Sequence, residues 1–237
     1  MSLKVKYQDL GLISYQQAWD YQEQLLRANV ELKLAAGRHA RPLEVPTQSH
    51  LLFCEHPHVY TLGKSGKAEH LLINEAERQA RGIDFFKINR GGDITYHGPG
   101  QITGYPIFDL EKLRTDLGWY LRSLEQVMIN LLARYELRGE RLSGATGVWL
   151  DAQGPNPRKV CALGIRCSRW VSMHGFALNV NTKLDYFNFI VPCGIDDKAV
   201  TSLQAELGQH LNMQRVKEQL KEEFASVFGL EWEEEEV

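Results

Sequence analysis

Cys193 stands in Ile190-Val191-Pro192-Cys193-Gly194-Ile195, between a proline that fixes φ and a glycine that permits a tight turn. A thiol held at such a turn is offered to a cavity and, as a thiolate, is a nucleophile suited to acyl transfer. A free thiol has a pKa of about 8.5, so it needs a neighbouring base or cation. Lys159, His97 and His174 are the available partners, and spacing does not rank them. A second candidate is the run Arg90-Gly91-Gly92-Asp93-Ile94-Thr95-Tyr96-His97-Gly98-Pro99-Gly100-Gln101. Its glycines let a ligand approach the main chain, and freed N–H groups bind a carbonyl or an anion. Composition alone leaves a ligand loop and a plain hairpin equally open. Neither the Walker spacing nor the dinucleotide fingerprint is met, so this run does not support a nucleotide site.

Zinc is the other chemistry that Cys161, Cys167, His174 and Cys193 suggest. Lys159 to Cys167 reads as one strand, and at about 3.3 Å per residue its two cysteines lie about 20 Å apart. Ligands of one tetrahedral ion sit within about 4 Å of each other, so no metal is expected. Cys54, in the apolar run Leu51-Leu52-Phe53-Cys54, reads as a buried small hydrophobe, and Cys161 and Cys167 take the same reading.

The elements that must position these residues alternate irregularly. Leu3 to Asp9 reads as a strand. Ser14 with Gln17 fits a capping box ahead of a helical stripe, Tyr15, Ala18, Trp19, Leu25, Leu26 and Val30, that Gly37 stops. Arg38 to Gln48 reads as a loop. Strands are expected at His50–Glu55, His58–Leu62, Asp84–Asn89, Tyr105–Phe108, Val148–Leu150, Lys159–Cys167 and Trp170–Asn181, with a short helix at Glu69–Gln79. The apolar stripe from Leu117 to Tyr135 is a core helix, and Gln214–Phe228 is a last amphipathic one. Strands and helices mix without regular βαβ order, so the expected class is α+β (mixed α/β), a mixed sheet flanked by helices.

The chain has 237 residues, 43% hydrophobic and 24% charged, ordinary for a globular protein. Five glutamates follow Leu230; setting them aside leaves 25 acids against 27 bases, a body near +2. We expect residues 1–230 to form one catalytic domain and 231–237 a solvated, flexible acidic tail. No apolar run reaches the roughly 20 residues of a membrane span. The N-terminus lacks a signal-peptide core, and four cysteines without an export signal read as reduced thiols, which points to the cytoplasm.

Four blocks together resemble the lipoyl(octanoyl) transferases of lipoate biosynthesis. They are the run from Arg90 to Gln101, Arg158-Lys159-Val160-Cys161-Ala162-Leu163-Gly164-Ile165, His174-Gly175-Phe176-Ala177-Leu178-Asn179-Val180, and Pro192-Cys193-Gly194-Ile195. They occur in the family's order, and the similarity runs from about Leu51 to Leu203. The resemblance implies transfer of octanoyl (or lipoyl) from acyl carrier protein to a lysine of lipoyl domains. The acceptors would be those of 2-oxoacid dehydrogenases and the glycine cleavage H protein. Cys193 would carry the acyl group as a thioester, and Lys159 would lower the thiol pKa and shuttle protons. Substrate contacts would fall on Arg90, Gly91, Gly92, Asp93, Ile94, Thr95, Tyr96 and His97, on Ala162, Leu163 and Gly164, and on Gly175, Phe176 and Ala177.

His174 and Gly194 would support the site. The implied fold is similar to the catalytic domains of biotin protein ligases and lipoate ligases, and the implied enzyme is a monomer without cofactor, metal or nucleic acid. Acidic partners would suit the bases Arg38, Arg41, Lys64, Lys67 and Lys87. The bases between Gly37 and Pro46 lengthen an early loop relative to the family, and the acidic tail departs from it as well. Two rivals share the scaffold. An ATP-dependent lipoate or biotin ligase would have no use for Cys193, and a non-catalytic carrier-binding relative would have lost the chemistry that Lys159 and Cys193 keep.

Overall fold

Leu51-Leu52-Phe53-Cys54 is apolar throughout because its strand is covered on both faces. Leu51 and Phe53 join one core cluster and Leu52 and Cys54 another, on opposite sides of the pleat. The computed structural model describes residues 2–37, 39–191 and 199–233. Among these, β1 (Leu3–Leu12), β2 (Ser49–Glu55), β6 (Gln101–Ile107), β7 (Glu140–Leu142), β8 (Ala145–Leu150), β9 (Arg158–Ser168), β10 (Val171–Asn179) and β12 (Leu230–Trp232) form the main sheet. Their order is β12-β1-β2-β6-β10-β9-β8-β7, and a short β11 (Ala199–Val200) adds to β9 in parallel. The β1–β2 and β1–β12 pairs are parallel and the pairs from β2 to β7 antiparallel, which makes the sheet mixed. A smaller sheet, β4-β3-β5, holds β3 (Val59–Leu62), β4 (Asp84–Lys87) and β5 (Ile94–His97).

One face of the main sheet packs on α1 (Tyr15–Ala36), whose Ala18 and Leu26 meet Tyr105, Ile107, Val171 and Met173. The Ser14 hydroxyl caps this helix by accepting from the Gln17 N–H at 3.3 Å, and Gly37 ends it at φ 80. The other face packs on α3 (Leu117–Ala133) and α5 (Met213–Phe228), where Leu124, Met128, Leu131, Leu220 and Phe224 are fully buried. The Lys33 ammonium near the end of α1 meets Asp109 at 2.6 Å and Glu111 at 2.9 Å, while the Thr47 hydroxyl donates to Asp109 at 2.8 Å. That cluster ties the loop after α1 to the sheet. No helix among the described residues is long and apolar enough to cross a membrane.

Three expectations change. The helix expected over Glu69–Gln79 is a single turn at Ala68–His70 followed by α2 (Glu75–Ala80). Between them Leu71 bridges Ile190, and Asn74 restarts the helix with a capping box to Glu77. The glycine-dense stretch is not one loop: β5 and the start of β6 lie within it, joined by a turn at Gly98–Gly100. The acidic tail begins later than expected. Glu231 and Trp232 pair with β1, and the Glu233 N–H donates to the Val5 carbonyl at 3.0 Å. Trp232 packs edge-on against Tyr7 at 6.1 Å, and this apolar contact holds the strand down despite its charge. A short α4 (Leu203–Leu207) and the edge strand β7 went unpredicted, being too brief for a periodic signal.

Candidate active site

The blocks around Lys159 and His174 become one surface because β9 and β10 pair in antiparallel register. Gly175 stands opposite Gly164, Phe176 opposite Leu163, and Ala177 opposite Ala162. The Arg90–Asp93 segment lies across this floor, with the Gly91 N–H donating to the Ile165 carbonyl at 3.0 Å. The result is a cleft of about 530 Å³, open on one side, in the range of small-molecule sites. Lys159, Ala162, Leu163, Gly164, His174, Gly175, Phe176 and Ala177 line it from the main sheet. Arg90, Gly92, Asp93, Ile94, Thr95 and His97 line it from the loop and the small sheet.

Gly91 lines an adjoining cleft that shares Lys159, Leu163 and Gly164 with the first. Tyr96 does not join them. Strand alternation turns it into the small sheet's core, where it stacks on Tyr186 at 5.1 Å and bonds His58 Nδ1 at 2.7 Å. Cys193 and Gly194 lie outside the described residues. Tyr15, Thr103 and Tyr105 also line the cleft, and the sequence reading missed them. Their spacing is that of core positions, and only the crossing of α1 over β6 and β10 exposes their inner ends to the cavity.

The glycines of the floor have a different reason from room for a ligand. A Cβ at Gly164 would meet the Gly91 carbonyl oxygen at 2.8 Å, and one at Gly175 would meet the Gly104 oxygen at 2.3 Å. Both positions bring backbones together, the first to seat the loop and the second to close the sheet.

Lys159 is 7% exposed, and its Nζ lies 4.6 Å from the centre of the Trp149 ring. A desolvated ammonium so placed gains about 2 kcal/mol from the ring's quadrupole. Glu125 on α3, buried between Arg122 (2.6 Å) and Arg141 (3.1 Å), accepts from the Gly147 N–H at 3.1 Å and so fixes the strand that carries Trp149. The Arg90 guanidinium donates to the Thr61 carbonyl at 2.7 Å, the Thr61 hydroxyl at 3.0 Å and the Gly91 carbonyl at 3.0 Å. It thereby fastens its loop to β3 as well as facing the cleft.

His97 is buried and stacks on Tyr15 at 5.7 Å. Its Nδ1–H donates to Gln101 Oε1 at 2.8 Å, and its Nε2 accepts from the Thr61 hydroxyl at 3.3 Å. Burial, then His56, pushes its pKa well below the usual histidine value, so it is neutral near pH 7. His174 is brought down to about 3 by burial, with Arg90 and Arg166 adding to the shift. Both histidines are bound into the walls and poorly placed to carry protons. Burial raises the thiol pKa of Cys54 and Cys161, which disfavours their thiolates and makes them weak nucleophiles.

Comparison with known proteins follows the same lines. Residues 14–225 match the family model described as "Lipoyl protein ligase A/B catalytic domain". An octanoyltransferase of Christiangramia forsetii is 55% identical over 232 residues, 98% of this chain and 98% of that protein. Among solved structures, one of the bi-partite lipoate protein ligase and E2 lipoyl domain of Thermoplasma acidophilum superposes with a TM-score of 0.67. It is 14% identical and covers 99% of this chain and 87% of that chain. Biotin protein ligase of Aquifex aeolicus, solved with biotin and ATP, gives a TM-score of 0.51 at 13% identity over 94% of this chain and 70% of its own. At such identities the two structures share the fold, and the expected α/β class with its mixed sheet stands.

Proposed function

The chain belongs to the lipoyl protein ligase A/B catalytic-domain family, and we propose that it moves an octanoyl group from acyl carrier protein to a lipoyl-domain lysine through a thioester on Cys193. One observation carries this reading: both described flanks of Cys193 are tied to the walls of the cleft. Val200, seven residues beyond Cys193, pairs with Lys159, and the Thr201 N–H donates to the Lys159 carbonyl at 2.9 Å. On the other side the Val191 N–H donates to the His70 carbonyl at 2.8 Å, and the His70 ring bonds Asp93 at the cleft's edge.

In the proposed reaction the Cys193 thiol gives its proton to Lys159, and the thiolate attacks the octanoyl thioester carbonyl. The bond to the carrier's sulfur breaks, and that sulfur leaves with the proton from Lys159. The ε-amine of the acceptor lysine then attacks the acyl-enzyme, an amide forms, and the amine's proton returns to the Cys193 sulfur by way of Lys159. The two thioesters are nearly equal in energy and the amide lies downhill, so the sequence runs without nucleotide hydrolysis. The slot between β9 and β10, walled by Leu163, Phe176 and Ala177, suits the alkyl chain, each buried methylene contributing about 0.8 kcal/mol. Lys64, Lys67 and Lys87, all exposed, suit acidic partners by speeding their encounter.

The test is mass spectrometry of the enzyme after incubation with octanoyl-acyl carrier protein and no nucleotide. The expected result is one octanoyl group on Cys193, removed when a lipoyl domain is added. Full transfer by Cys193→Ser would end the thioester route. Transfer only from free octanoate with ATP would put the ligase in its place.

A further inference from the structure

At the end of the slot remote from Lys159 stands a hydrogen-bond acceptor that the proposed reaction does not use. His174 pairs with Ile165, which is six residues along β9 from Lys159. At about 3.3 Å per residue that is about 20 Å of strand, so the two residues bound opposite ends of one cleft. His174 is 2% exposed, and its Nε2–H donates to Asn89 Oδ1 at 2.8 Å. This bond selects the tautomer and leaves Nδ1 with a lone pair. Nδ1 has no hydrogen-bond partner among the described residues. The ring is held neutral by burial and two arginines, so protonation does not fill that need.

The surroundings repeat the pattern. The His174 N–H donates to Gln22 Oε1 at 3.1 Å, and Gln22 Nε2 is likewise unpartnered among the described residues. Tyr105, one step beyond the Phe176–Gly104 pair, lies level with Gly175 and brings its phenol to the same end of the cleft. Its hydroxyl donates to His56 Nε2 at 2.7 Å, because His56 Nδ1–H is given to the Ile13 carbonyl at 2.8 Å. An oxygen lone pair on Tyr105 therefore remains. His174 also holds φ 60, a backbone that few side chains adopt, so the fold tolerates strain to keep this imidazole in place. A wall built only to end an alkyl chain would not carry buried acceptors, since each one left unpaired weakens binding by roughly ten-fold.

We propose that the distal end of the slot, at His174 Nδ1, is a seat for one hydrogen-bond donor, so that acyl chains ending in a hydroxyl are substrates alongside octanoyl. With octanoyl itself a water molecule fills the seat. The inference deepens the acyl-transfer reading and rests on it for the direction in which the chain lies.

Two isosteric acids decide it. In calorimetric titration of the full chain, 8-hydroxyoctanoate should bind about ten-fold more tightly than nonanoate. An apolar floor reverses the order, because the extra methyl group of nonanoate then gains about four-fold. A ratio at or below one overturns the proposal. In His174→Asn, a residue type that accepts the left-handed backbone, the preference for the hydroxyl should be lost; a preference unchanged in that variant also overturns it. The same acyl groups loaded on acyl carrier protein separate the two readings. If the acids bind in the expected order while no chain is transferred, the seat stands and the octanoyl-transfer reading falls. If octanoyl is transferred and nonanoate binds more tightly, only the seat falls.

Discussion

Replacing Gly175 by alanine tests whether the floor of the cleft depends on close backbone contact. The added Cβ would lie 2.3 Å from the Gly104 oxygen and 2.6 Å from Pro106 Cδ. Ordinary contact begins near 3.4 Å, so β10 and β6 must part by about 1 Å at a central strand pair. Overpacking against a backbone that cannot swing aside costs about 3 kcal/mol. For a chain of this size each kcal/mol moves the melting point by about 2–4 °C, so Tm should fall by about 6–12 °C. The shift also moves the slot relative to Lys159, and a 1 Å displacement of a reacting group costs up to about 100-fold in rate. The assays are thermal unfolding and octanoyl transfer to a lipoyl domain at a temperature where the variant is folded. Gly118→Ala is the control: Gly118 sits in the first turn of α3 with only Asp116 Oδ1 near, at 3.3 Å, and alanine there should be neutral or stabilising. A Gly175→Ala protein that melts within about 2 °C of the parent and transfers octanoyl within two-fold would refute the close-contact account.

Two further outcomes follow from the interior. Asp109→Ala strands the Lys33 ammonium, whose side chain is 8% exposed, and removes the acceptor of the Thr47 hydroxyl. Losing one partner of a buried pair costs about 3–5 kcal/mol, read as a lower urea midpoint, and a loss under 1 kcal/mol would show that Glu111 suffices. His56 and His174 titrate in the folded chain at about 4 and about 3, and His97 well below its usual value, all chiefly through burial. The unfolded chain then binds more protons, so this contribution is complete above about pH 6.5 and is lost as pH falls toward 4. Three such groups give a slope of about 4 kcal/mol per pH unit at most, and unfolding free energies that stay flat from pH 6 to pH 4.5 would contradict it. His97→Gln should remove about a third of that slope.

Much of this protein was legible in local order along the chain. Ser14 and Gly37 bound α1 because capping is chemistry between neighbours, and the 3.6-residue stripe from Leu117 onward marks α3 because one face must be buried. The blocks containing Lys159, His174 and Arg90 carried their chemical types, and their order matched a family whose membership the comparisons bear out. Tertiary structure decided what depends on pairing between distant segments. The β9–β10 register turns two separate blocks into one floor, and β11 sets Val200 beside Lys159. Alternation along β5 sends Tyr96 into the small sheet's core and leaves its neighbours Thr95 and His97 facing the cleft. Gly164 and Gly175 looked like space for a ligand and are instead points where backbones touch, a distinction set by chain segments more than 70 positions away. The neutral, half-satisfied His174 could not be read from its letter, because the burial and the Asn89 bond that fix its tautomer exist only once α1, β10 and the small sheet have closed around it.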